Sequence, residues 1–296
     1  MAIPDFLGIG AQKAGTTWLA SNLGKHPDIW IPPLTATHYF NERELNPGVE
    51  FPDLFDRTLP YGSTRFFRVT ELLRDRWPEV MADGELAKWY LKWLFQKRTD
   101  EWYFSLFDFP HHARMAGEIT PSYSLLSEQT IAAIKSMNPE MKIIFSIRNP
   151  IYRCWSHVAM EFNQFRPVSL CQAPEKEIVN FIKTENVIGR NDYVGIAGKW
   201  KKVFDDNHFF MFFFEQIARD PDALMRDICR FLEVASFPSD LCGDFGDKIN
   251  VGSYTDFPLK YKKLIAELTI DKIRGCAEAF GGDAVSWRKE AEALLS

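Results

Sequence analysis

The sequence has few cysteines and no pair of them at the spacing of a metal or redox motif. An odd number of cysteines without a C-x-x-C pair is typical of free thiols in a reducing compartment. No cluster of His, Cys, Asp or Glu has the spacing of metal ligands either, so we expect no metal site. The five cysteines are Cys154, Cys171, Cys229, Cys242 and Cys276.

Long apolar runs and an excess of positive charge are also missing. The longest apolar run, residues 209–214, has the length of a strand and falls far short of the ~20 residues of a membrane span. Residues 1–6 lack the basic start of a signal peptide, so we expect a cytoplasmic protein. A net charge of −5 argues against nucleic acid or anionic membranes as general partners. With 296 residues and 46% hydrophobic content, the chain can bury the core of a single domain spanning 1–296.

Residues 8–18 form a glycine-rich turn between an apolar run and a predicted helix at 16–24. The sequence there is GIGAQKAGTTW. A helix N-terminus presents unpaired backbone N–H groups and the positive end of the helix dipole, and both favour an anion. Lys13 adds a full positive charge, and the hydroxyls of Thr16 and Thr17 add donors. The pattern predicts a nucleotide phosphate site; the alternative is a plain strand–helix turn whose glycines supply positive φ angles.

The same loop lacks the lysine of the P-loop that binds ATP or GTP. That motif is G-x-x-x-x-G-K-[ST], with the lysine directly after the second glycine. Gly10 and Gly15 have the right separation, but Thr16 stands at the lysine position and the lysine of the loop is Lys13. We interpret the loop as P-loop-like and suited to one 5′-phosphate rather than to a triphosphate with Mg²⁺. A small-molecule kinase is an alternative that this spacing disfavours.

A second phosphate-competent segment follows the apolar run at 141–147. This β-branched run predicts a buried strand, and Pro150 suits the first turn of a helix after it. Arg148 then lies at the carboxyl end of the strand, and Ser156 lies two helical turns further on. In open α/β sheets, ligands bind at the carboxyl ends of the strands. Two anion sites on one sheet edge indicate a nucleotide that is phosphorylated at two distant positions.

These segments together resemble the PAPS-dependent sulfotransferases, where PAPS is 3′-phosphoadenosine 5′-phosphosulfate. The similarity is greatest to the bacterial and Golgi branch that includes the heparan-type enzymes, and it covers nearly the whole chain. The similar segments are QKAGTTWL (12–19), GEITPSY (117–123), Arg148–Ser156, residues 189–193 with Trp200 and Phe204, and residues 208–234.

The resemblance implies a role for each matched residue. The loop would hold the 5′-phosphosulfate, and Lys13 would neutralise charge on the bridging oxygen as the sulfuryl group leaves. Arg148 and Ser156 would hold the 3′-phosphate. The donor-binding residues expected from the resemblance are Gln12, Lys13, Ala14, Gly15, Thr16, Thr17, Trp18, Arg148, Ser156, Tyr193 and Lys248.

The resemblance also implies the reaction. A sulfuryl group would pass from PAPS to a hydroxyl, or as a second choice to an amine, of a small-molecule, lipid or carbohydrate acceptor. The released product would be PAP, 3′-phosphoadenosine 5′-phosphate. No metal takes part in this scheme.

The chain departs from the family at the residue that removes the proton of the acceptor. The family has a Lys-Glu pair there, followed by an aromatic pair, and the glutamate is the general base. Alignment on Tyr39 and Phe40 places Thr35 and Ala36 at that pair, and neither side chain accepts a proton at neutral pH.

Three explanations are open. His38 could be the base, since the ordinary histidine pKa of about 6.5 suits that role, and in an extended segment it would share a face with Ala36; a structural histidine packed on aromatic rings is the alternative. Glu118 could be the base, or it could orient the site through hydrogen bonds. The chain could also bind PAP or PAPS with impaired or no turnover, because loss of a general base costs about 10²–10⁴-fold in rate.

Strands that alternate with helices predict the fold. We expect an α/β protein with three layers, a mostly parallel central sheet, a P-loop-like nucleotide site and a helical insertion at 51–110. Most aromatic residues of the insertion are predicted to form core, and a minority could line an apolar acceptor pocket or form a lid over the sheet edge. Arg153, within the second phosphate segment, is interpreted as a salt-bridged helix residue. The predicted strands are residues 3–9, 28–31, 116–119, 142–147 and 208–214, and the predicted helices are 16–24, 127–136, 150–164, 192–204, 220–233 and 257–267.

Overall fold

A computed structural model describes most of the chain. Lys248 and residues 51–76 and 109–110 of the predicted insertion lie outside the described residues, so the expectations for them stay predictions. The structure describes residues 3–45, 77–108, 113–237, 245–246 and 257–296.

Five parallel strands form one sheet, in the order β2-β3-β1-β4-β5. Because every strand pair is parallel, the carboxyl ends of all five strands lie at one edge, as the sequence predicted for this α/β chain. The strands are β1 (Phe6–Gly10), β2 (Ile29–Trp30), β3 (Met115–Ile119), β4 (Lys142–Ile147) and β5 (Phe209–Phe213).

Helices cover both faces of the sheet. In chain order they are α1 (Thr16–Leu23), α2 (Tyr39–Leu45), α3 (Trp77–Ala82), α4 (Gly84–Phe95), α5 (Asp100–Ser105), α6 (Glu128–Met137), α7 (Pro150–Met160), α8 (Glu175–Ile182), α9 (Glu185–Ile188), α10 (Tyr193–Lys201), α11 (Phe214–Arg219), α12 (Pro221–Leu232), α13 (Leu259–Phe280) and α14 (Asp283–Leu295). Single turns of 3₁₀-helix follow β3 (Pro121–Leu125) and α9 (Gly189–Asn191), and a π-helical turn (Glu161–Phe165) extends α7.

Alternate residues of the central strands enter different cores, because successive side chains point to opposite faces of a sheet. Leu7 and Ile143 belong to the larger hydrophobic core, whereas Phe6 and Ile144 belong to the smaller one on the other face. Burial on both faces explains why these strands read as continuous apolar runs.

Helices α4 and α5, between β2 and β3 in chain order, supply much of the larger core. Their aromatic side chains are almost completely buried there, as predicted for the described part of the insertion. They include Trp89, Tyr90, Trp93, Trp102 and Tyr103.

The helical structure at the C-terminal end is more extensive than predicted. Helix α13 was expected to end near residue 267 but continues to Phe280, and α14 was not predicted. The extension contains β-branched residues and a glycine, which lower helix propensity. Packing overrides this preference: Ile273 and Cys276 are completely buried in the larger core, and Gly275 lies beside Val194 of α10. The two helices form a hairpin whose role in the site is described below.

Candidate active site

The carboxyl ends of β1 and β4 bring the two predicted phosphate segments into contact. The strands are neighbours in the sheet, so the loop after β1 and the turn after β4 lie side by side. Arg148 Nη1 donates a hydrogen bond to the backbone oxygen of Lys13 at 3.0 Å. The Ser146 hydroxyl bonds the carbonyl of Gly10 at 2.9 Å and ties β1 to β4 two residues before Arg148. The two segments therefore form one site.

Two glycines of the loop have backbone angles that favour glycine. Gly10 has φ +133° and Gly15 has φ +86°. A Cβ at Gly15 would lie 2.6 Å from Cδ1 of Ile217 and 3.0 Å from the ring of Phe214. Gly15 is also the N-cap of α1 and offers no capping side chain. The first N–H groups of α1 are thus left for a ligand, as expected for a helix N-terminus that binds phosphate.

Lys13 and Arg148 are the basic groups of this edge. Burial and the neighbouring Arg148 guanidinium lower the pKa of Lys13, and no carboxylate contributes to that shift. The Arg148 guanidinium lies 4.3 Å above the ring of Phe214, which also contacts Gly15. Phe214 therefore packs against both phosphate segments at once.

The other predicted loop residues differ in what they present. Gln12 Oε1 is buried without a hydrogen-bond partner among the described residues, whereas the hydroxyl-bearing Thr16 and Thr17 are partly or fully exposed. The side chains of Ala14 and Trp18 are in the core, and the Trp18 indole donates to a backbone carbonyl at 2.8 Å. Ala14 and Trp18 can meet a ligand at this edge only through their backbone.

The segment after β4 is built as a capped helix. The Asn149 side chain accepts from the N–H of Ile151 at 3.0 Å, and Pro150 occupies the first turn of α7. Ser156 lies two turns along α7 and is 6% exposed. The buried Tyr193 donates its hydroxyl proton to the backbone oxygen of Arg148 at 2.9 Å, and burial raises the pKa of Tyr193. Tyr193 thus contacts the phosphate segment as a support of its backbone.

The interpretation of Arg153 as a salt-bridged residue is wrong. Its side chain is completely buried, and it bonds Asn191 Oδ1 at 2.6 Å and the carbonyl of Val187 at 2.5 Å. Within the part of the chain that the structure describes, Nη1 of Arg153 has no hydrogen-bond partner and the guanidinium has no carboxylate partner. Helical spacing cannot separate a surface ion pair from a cation that points inward.

His157, one turn further along α7, lies among these cations. It is 2% exposed, and its Nδ1 has no hydrogen-bond partner among the described residues. Burial and the nearby positive charges of Arg153, Arg190 and Lys13 lower the pKa of His157 to about 2. The imidazole is therefore neutral at physiological pH, and its surroundings carry a positive charge suited to an anion.

Glu118, at the end of β3, is fully buried and accepts five hydrogen bonds. Oε1 accepts from the hydroxyls of Tyr103 (2.6 Å), Tyr123 (2.9 Å) and Thr37 (2.9 Å), and Oε2 accepts from the hydroxyl of Thr120 (2.7 Å) and the N–H of Thr37 (2.9 Å). A carboxylate has about four lone-pair sites, so none is left for an acceptor's proton. This geometry supports the orienting alternative for Glu118: it holds the backbone and side chain of residue 37.

The segment that lacks the expected base follows directly from this anchor. The carbonyl of Thr35 accepts from the N–H of Ile119 at 2.8 Å, which joins the segment to β3. His38 has φ +57°, a left-handed conformation, so the segment is not extended at His38 and the expected shared face with Ala36 does not follow. Nδ1 of His38 lies 3.2 Å from Oδ1 of Asn41 in the first turn of α2.

Two carboxylates near Arg148 were not found by sequence reasoning. The backbone N–H of Asn149 donates to Glu215 Oε1 at 3.3 Å, and its side-chain amide donates to Glu290 Oε2 at 3.0 Å. Burial raises the pKa of Glu215, whose Oε1 also accepts from the Trp287 indole at 3.0 Å. Residues 66 and 141 positions away in the chain meet Asn149, and no local pattern carries that information.

The described residues also bear on metal binding and on membrane insertion. No group of three or more His, Cys, Asp or Glu side chains in those residues could hold a metal ion. None of the described helices is both long and apolar enough to cross a membrane.

Comparison with known proteins identifies a family from the sequence and a shared fold from the structure. The sequence model of the Sulfotransferase family matches residues 4–239. The bifunctional heparan sulfate N-deacetylase/N-sulfotransferase 1 of Caenorhabditis briggsae is 20% identical over 249 residues, which cover 80% of this chain and 23% of that protein. The chain therefore spans about a quarter of the length of that relative.

Solved structures share the fold. The sulfotransferase from Alicyclobacillus acidocaldarius superposes with a TM-score of 0.63 at 23% identity, covering 97% of this chain and 100% of that one. Mouse sulfotransferase SULT7A1 complexed with PAP superposes with a TM-score of 0.51 at 14% identity, covering 99% of this chain and 90% of that one. Since the family match extends over most of the sequence and the parallel sheet agrees with it, the chain belongs to the sulfotransferase family.

Proposed function

We propose that this chain is a PAPS-dependent sulfotransferase that acts on a hydroxyl, with an amine as the second acceptor class, of a small-molecule, lipid or carbohydrate acceptor. The observation that carries the proposal is the contact between two basic segments at the carboxyl ends of β1 and β4. Lys13 and Arg153 have no carboxylate partner among the described residues, so the site has positive charge without its counterion. A nucleotide phosphorylated at both its 5′ and 3′ positions would supply the missing negative charge at both segments.

The proposed donor contacts follow from the two segments. The N-terminus of α1, with Lys13, Gly15, Thr16 and Thr17, would hold the 5′-phosphosulfate, and Arg148 with Ser156 would hold the 3′-phosphate. A relative of the same fold is a PAP complex, which supports this donor. The buried and unpartnered Gln12 Oε1 fits a ligand that brings its own hydrogen-bond donor to the loop.

The transfer requires the protein to stabilise the leaving group and to remove a proton from the acceptor. The bond from sulfur to the bridging oxygen of the donor breaks while a bond from sulfur to the acceptor oxygen forms, so negative charge grows on the bridging oxygen. We assign the neutralisation of that charge to Lys13, since stabilisation of developing charge is usually the largest catalytic contribution of a preorganised site. The proton of the acceptor must also leave.

We assign that proton to His38 rather than to Glu118. Glu118 accepts five hydrogen bonds, whereas the His38 ring is only partly buried and lies next to Thr37, the residue that Glu118 holds. If Nδ1 of His38 donates to Oδ1 of Asn41, Nε2 is the ring nitrogen that carries the lone pair. Glu118 then acts as a positioning residue, since it fixes the backbone that carries His38.

A second function is favoured by Ala36. The residue at the usual position of the base cannot take a proton, so the chain could bind PAP or PAPS with impaired or no turnover. The kinase alternative lacks support, since the family match and the fold are both those of sulfotransferases.

Calorimetric titration with PAP, ATP and AMP tests the donor site. We expect PAP to bind at least about 10-fold more tightly than AMP or ATP, because only PAP presents phosphate to both basic segments. Equal affinities for the three nucleotides would contradict the donor assignment.

Turnover then separates the two functions. We expect PAPS-dependent release of PAP with at least one of a simple phenol, a long-chain alcohol and an amino-sugar oligosaccharide, and a loss of about 100-fold or more in His38→Ala. The combined variant Thr35→Lys with Ala36→Glu is the matched test. If the wild type binds PAP but is inactive and the double variant gains turnover, the chain is a binding protein whose base is missing.

A further inference from the structure

The N-terminal end of α7 is held by the C-terminal hairpin, which lies beyond the residues matched by the family model. That match ends at residue 239, and the hairpin consists of α13 and α14 at 259–295. Glu290 of α14 reaches α7 with both carboxylate oxygens. Oε2 accepts from Asn149 Nδ2 at 3.0 Å, and Oε1 accepts from the Tyr152 hydroxyl at 2.6 Å.

A lysine of the hairpin completes this contact. Lys262 Nζ lies 2.7 Å from Glu290 Oε1 and 2.8 Å from the Tyr152 hydroxyl. The group of Asn149, Tyr152, Lys262 and Glu290 thus links both hairpin helices to the first turn of α7. Asn149 is 2% exposed and also caps α7, so its side chain is fixed at both its oxygen and its nitrogen.

Asn149 is the neighbour of Arg148, and two further contacts hold the backbone around Arg148, one of which is itself supported by α14. Tyr193 bonds the Arg148 carbonyl, Glu215 accepts from the Asn149 N–H, and the Trp287 indole of α14 bonds the same Glu215 oxygen. Restraints of this kind decide how precisely a cation is aimed, because a charge-assisted hydrogen bond depends on distance and angle.

We propose that Glu290 is a positioning residue for Arg148, and that the C-terminal hairpin thereby sets the preference of the site for a nucleotide with a 3′-phosphate. This inference rests on the proposed function, in which Arg148 contacts that phosphate. Glu290 itself does not touch the nucleotide; it holds the turn from which Arg148 projects.

PAP and AMP together test the inference, since they differ only in the 3′-phosphate. In Glu290→Ala we expect PAP affinity to fall about five- to tenfold while AMP affinity stays within about twofold. Glu290→Gln keeps an acceptor for Asn149 and should keep most of the preference. The matched control is Glu292→Ala, which removes a carboxylate of the same helix that pairs with Arg274 at the surface.

The outcomes are distinguishable. An equal fall in PAP and AMP affinity in Glu290→Ala, or no fall in either, would overturn the positioning role. A wild type without any preference for PAP over AMP would instead overturn the proposed function and this inference with it. If Glu290→Ala does not fold, Tyr152→Phe removes one of the three donors to Glu290 while keeping the ring, and a smaller loss of PAP affinity alone is expected. An unchanged PAP:AMP ratio in a folded Tyr152→Phe would likewise count against the inference.

Discussion

Two halves of the same sheet edge differ in whether their charged side chains have partners within the protein. The nucleotide half, at the ends of β1 and β4, contains Lys13 and Arg153, which have no carboxylate partner among the described residues, and His157, whose Nδ1 has no hydrogen-bond partner among them. The acceptor half, at the end of β3, contains Glu118, whose carboxylate accepts five hydrogen bonds. The two halves are adjacent, because β1 and β3 are neighbouring strands of the sheet.

The difference indicates which polar groups await a ligand. Burying a polar group without a partner costs free energy, so an unpartnered set of cations is retained where a ligand completes it. A carboxylate whose hydrogen bonds are all made within the protein is completed already, and it contributes to the rigidity of the fold. On this comparison we infer that the nucleotide half binds a ligand and that the Glu118 network supports residues 37 and 38.

The largest effect is expected from removal of a cation in the nucleotide half. In Arg148→Ala the affinity for PAP should fall about 100-fold, because charge-assisted and bidentate hydrogen bonds to a phosphate are lost. The affinity for AMP should change far less, since the proposed contact is to the 3′-phosphate. Isothermal titration with both nucleotides measures the two effects in one set of variants.

Arg230→Ala is the matched control for that loss. Arg230 lies on α12, is exposed and pairs with Asp227 one turn earlier, so its removal changes net charge equally without touching the sheet edge. PAP binding in this variant should match the wild type. A comparable loss in both variants would mean that general electrostatic attraction, and not the geometry at Arg148, carries the affinity.

A smaller effect, on stability, is expected in the acceptor half. Glu118→Gln should lower the free energy of unfolding by about 2 kcal/mol, since an amide nitrogen cannot accept from Tyr103, Tyr123 or Thr37 and leaves buried donors unsatisfied. Urea unfolding measures this, and PAP affinity of the folded variant should stay within about twofold. Glu128→Gln, which removes an exposed partner of Lys202, should leave the urea unfolding curve close to that of the wild type.

The opposite pattern in Glu118→Gln would change the assignment of the acceptor half. Unchanged stability combined with a loss of turnover of about 100-fold or more would indicate proton transfer by Glu118. The comparison between the halves would then be one between two reactive regions.

The sequence predicted most of the sheet because its strands are buried on both faces. The run at 142–147 was predicted without error in its bounds, since continuous apolar and β-branched residues leave little ambiguity. The meeting of Lys13 with Arg148 was also predictable, because both follow parallel strands and such strands end at one edge. These inferences depend only on local pattern and one topological rule.

Partners that come from distant elements were not predictable in this way. The donors to Glu118 come from residues 37, 103, 120 and 123, and residues 37 and 103 lie 81 and 15 positions before it in separate segments of the chain. Glu290 belongs to α14, which was not predicted. The second half of α13, which leads into α14, contains residues of low helix propensity, so the sequence pattern did not indicate a helical hairpin there. The direction in which the Arg153 side chain points depends on packing, which the helical spacing of residues in α7 does not reveal.

The smallest effect concerns the neutral imidazole of the nucleotide half, and it appears as a pH dependence of stability. The pKa of His157 is lowered to about 2 in the folded chain from an ordinary value of 6.5. Below pH 6.5 the unfolded chain binds a proton that the folded chain does not, so the free energy of unfolding should fall by about 1.4 kcal/mol per pH unit on acidification and be unaffected by this group above pH 6.5. His157→Gln removes the titration, so urea unfolding at pH 7.5 and pH 5.5 should show a shallower loss of stability in the variant than in the wild type. Equal pH dependence in the two proteins would mean that His157 is not buried among cations, and the contrast between the two halves would rest on Lys13 and Arg153 alone.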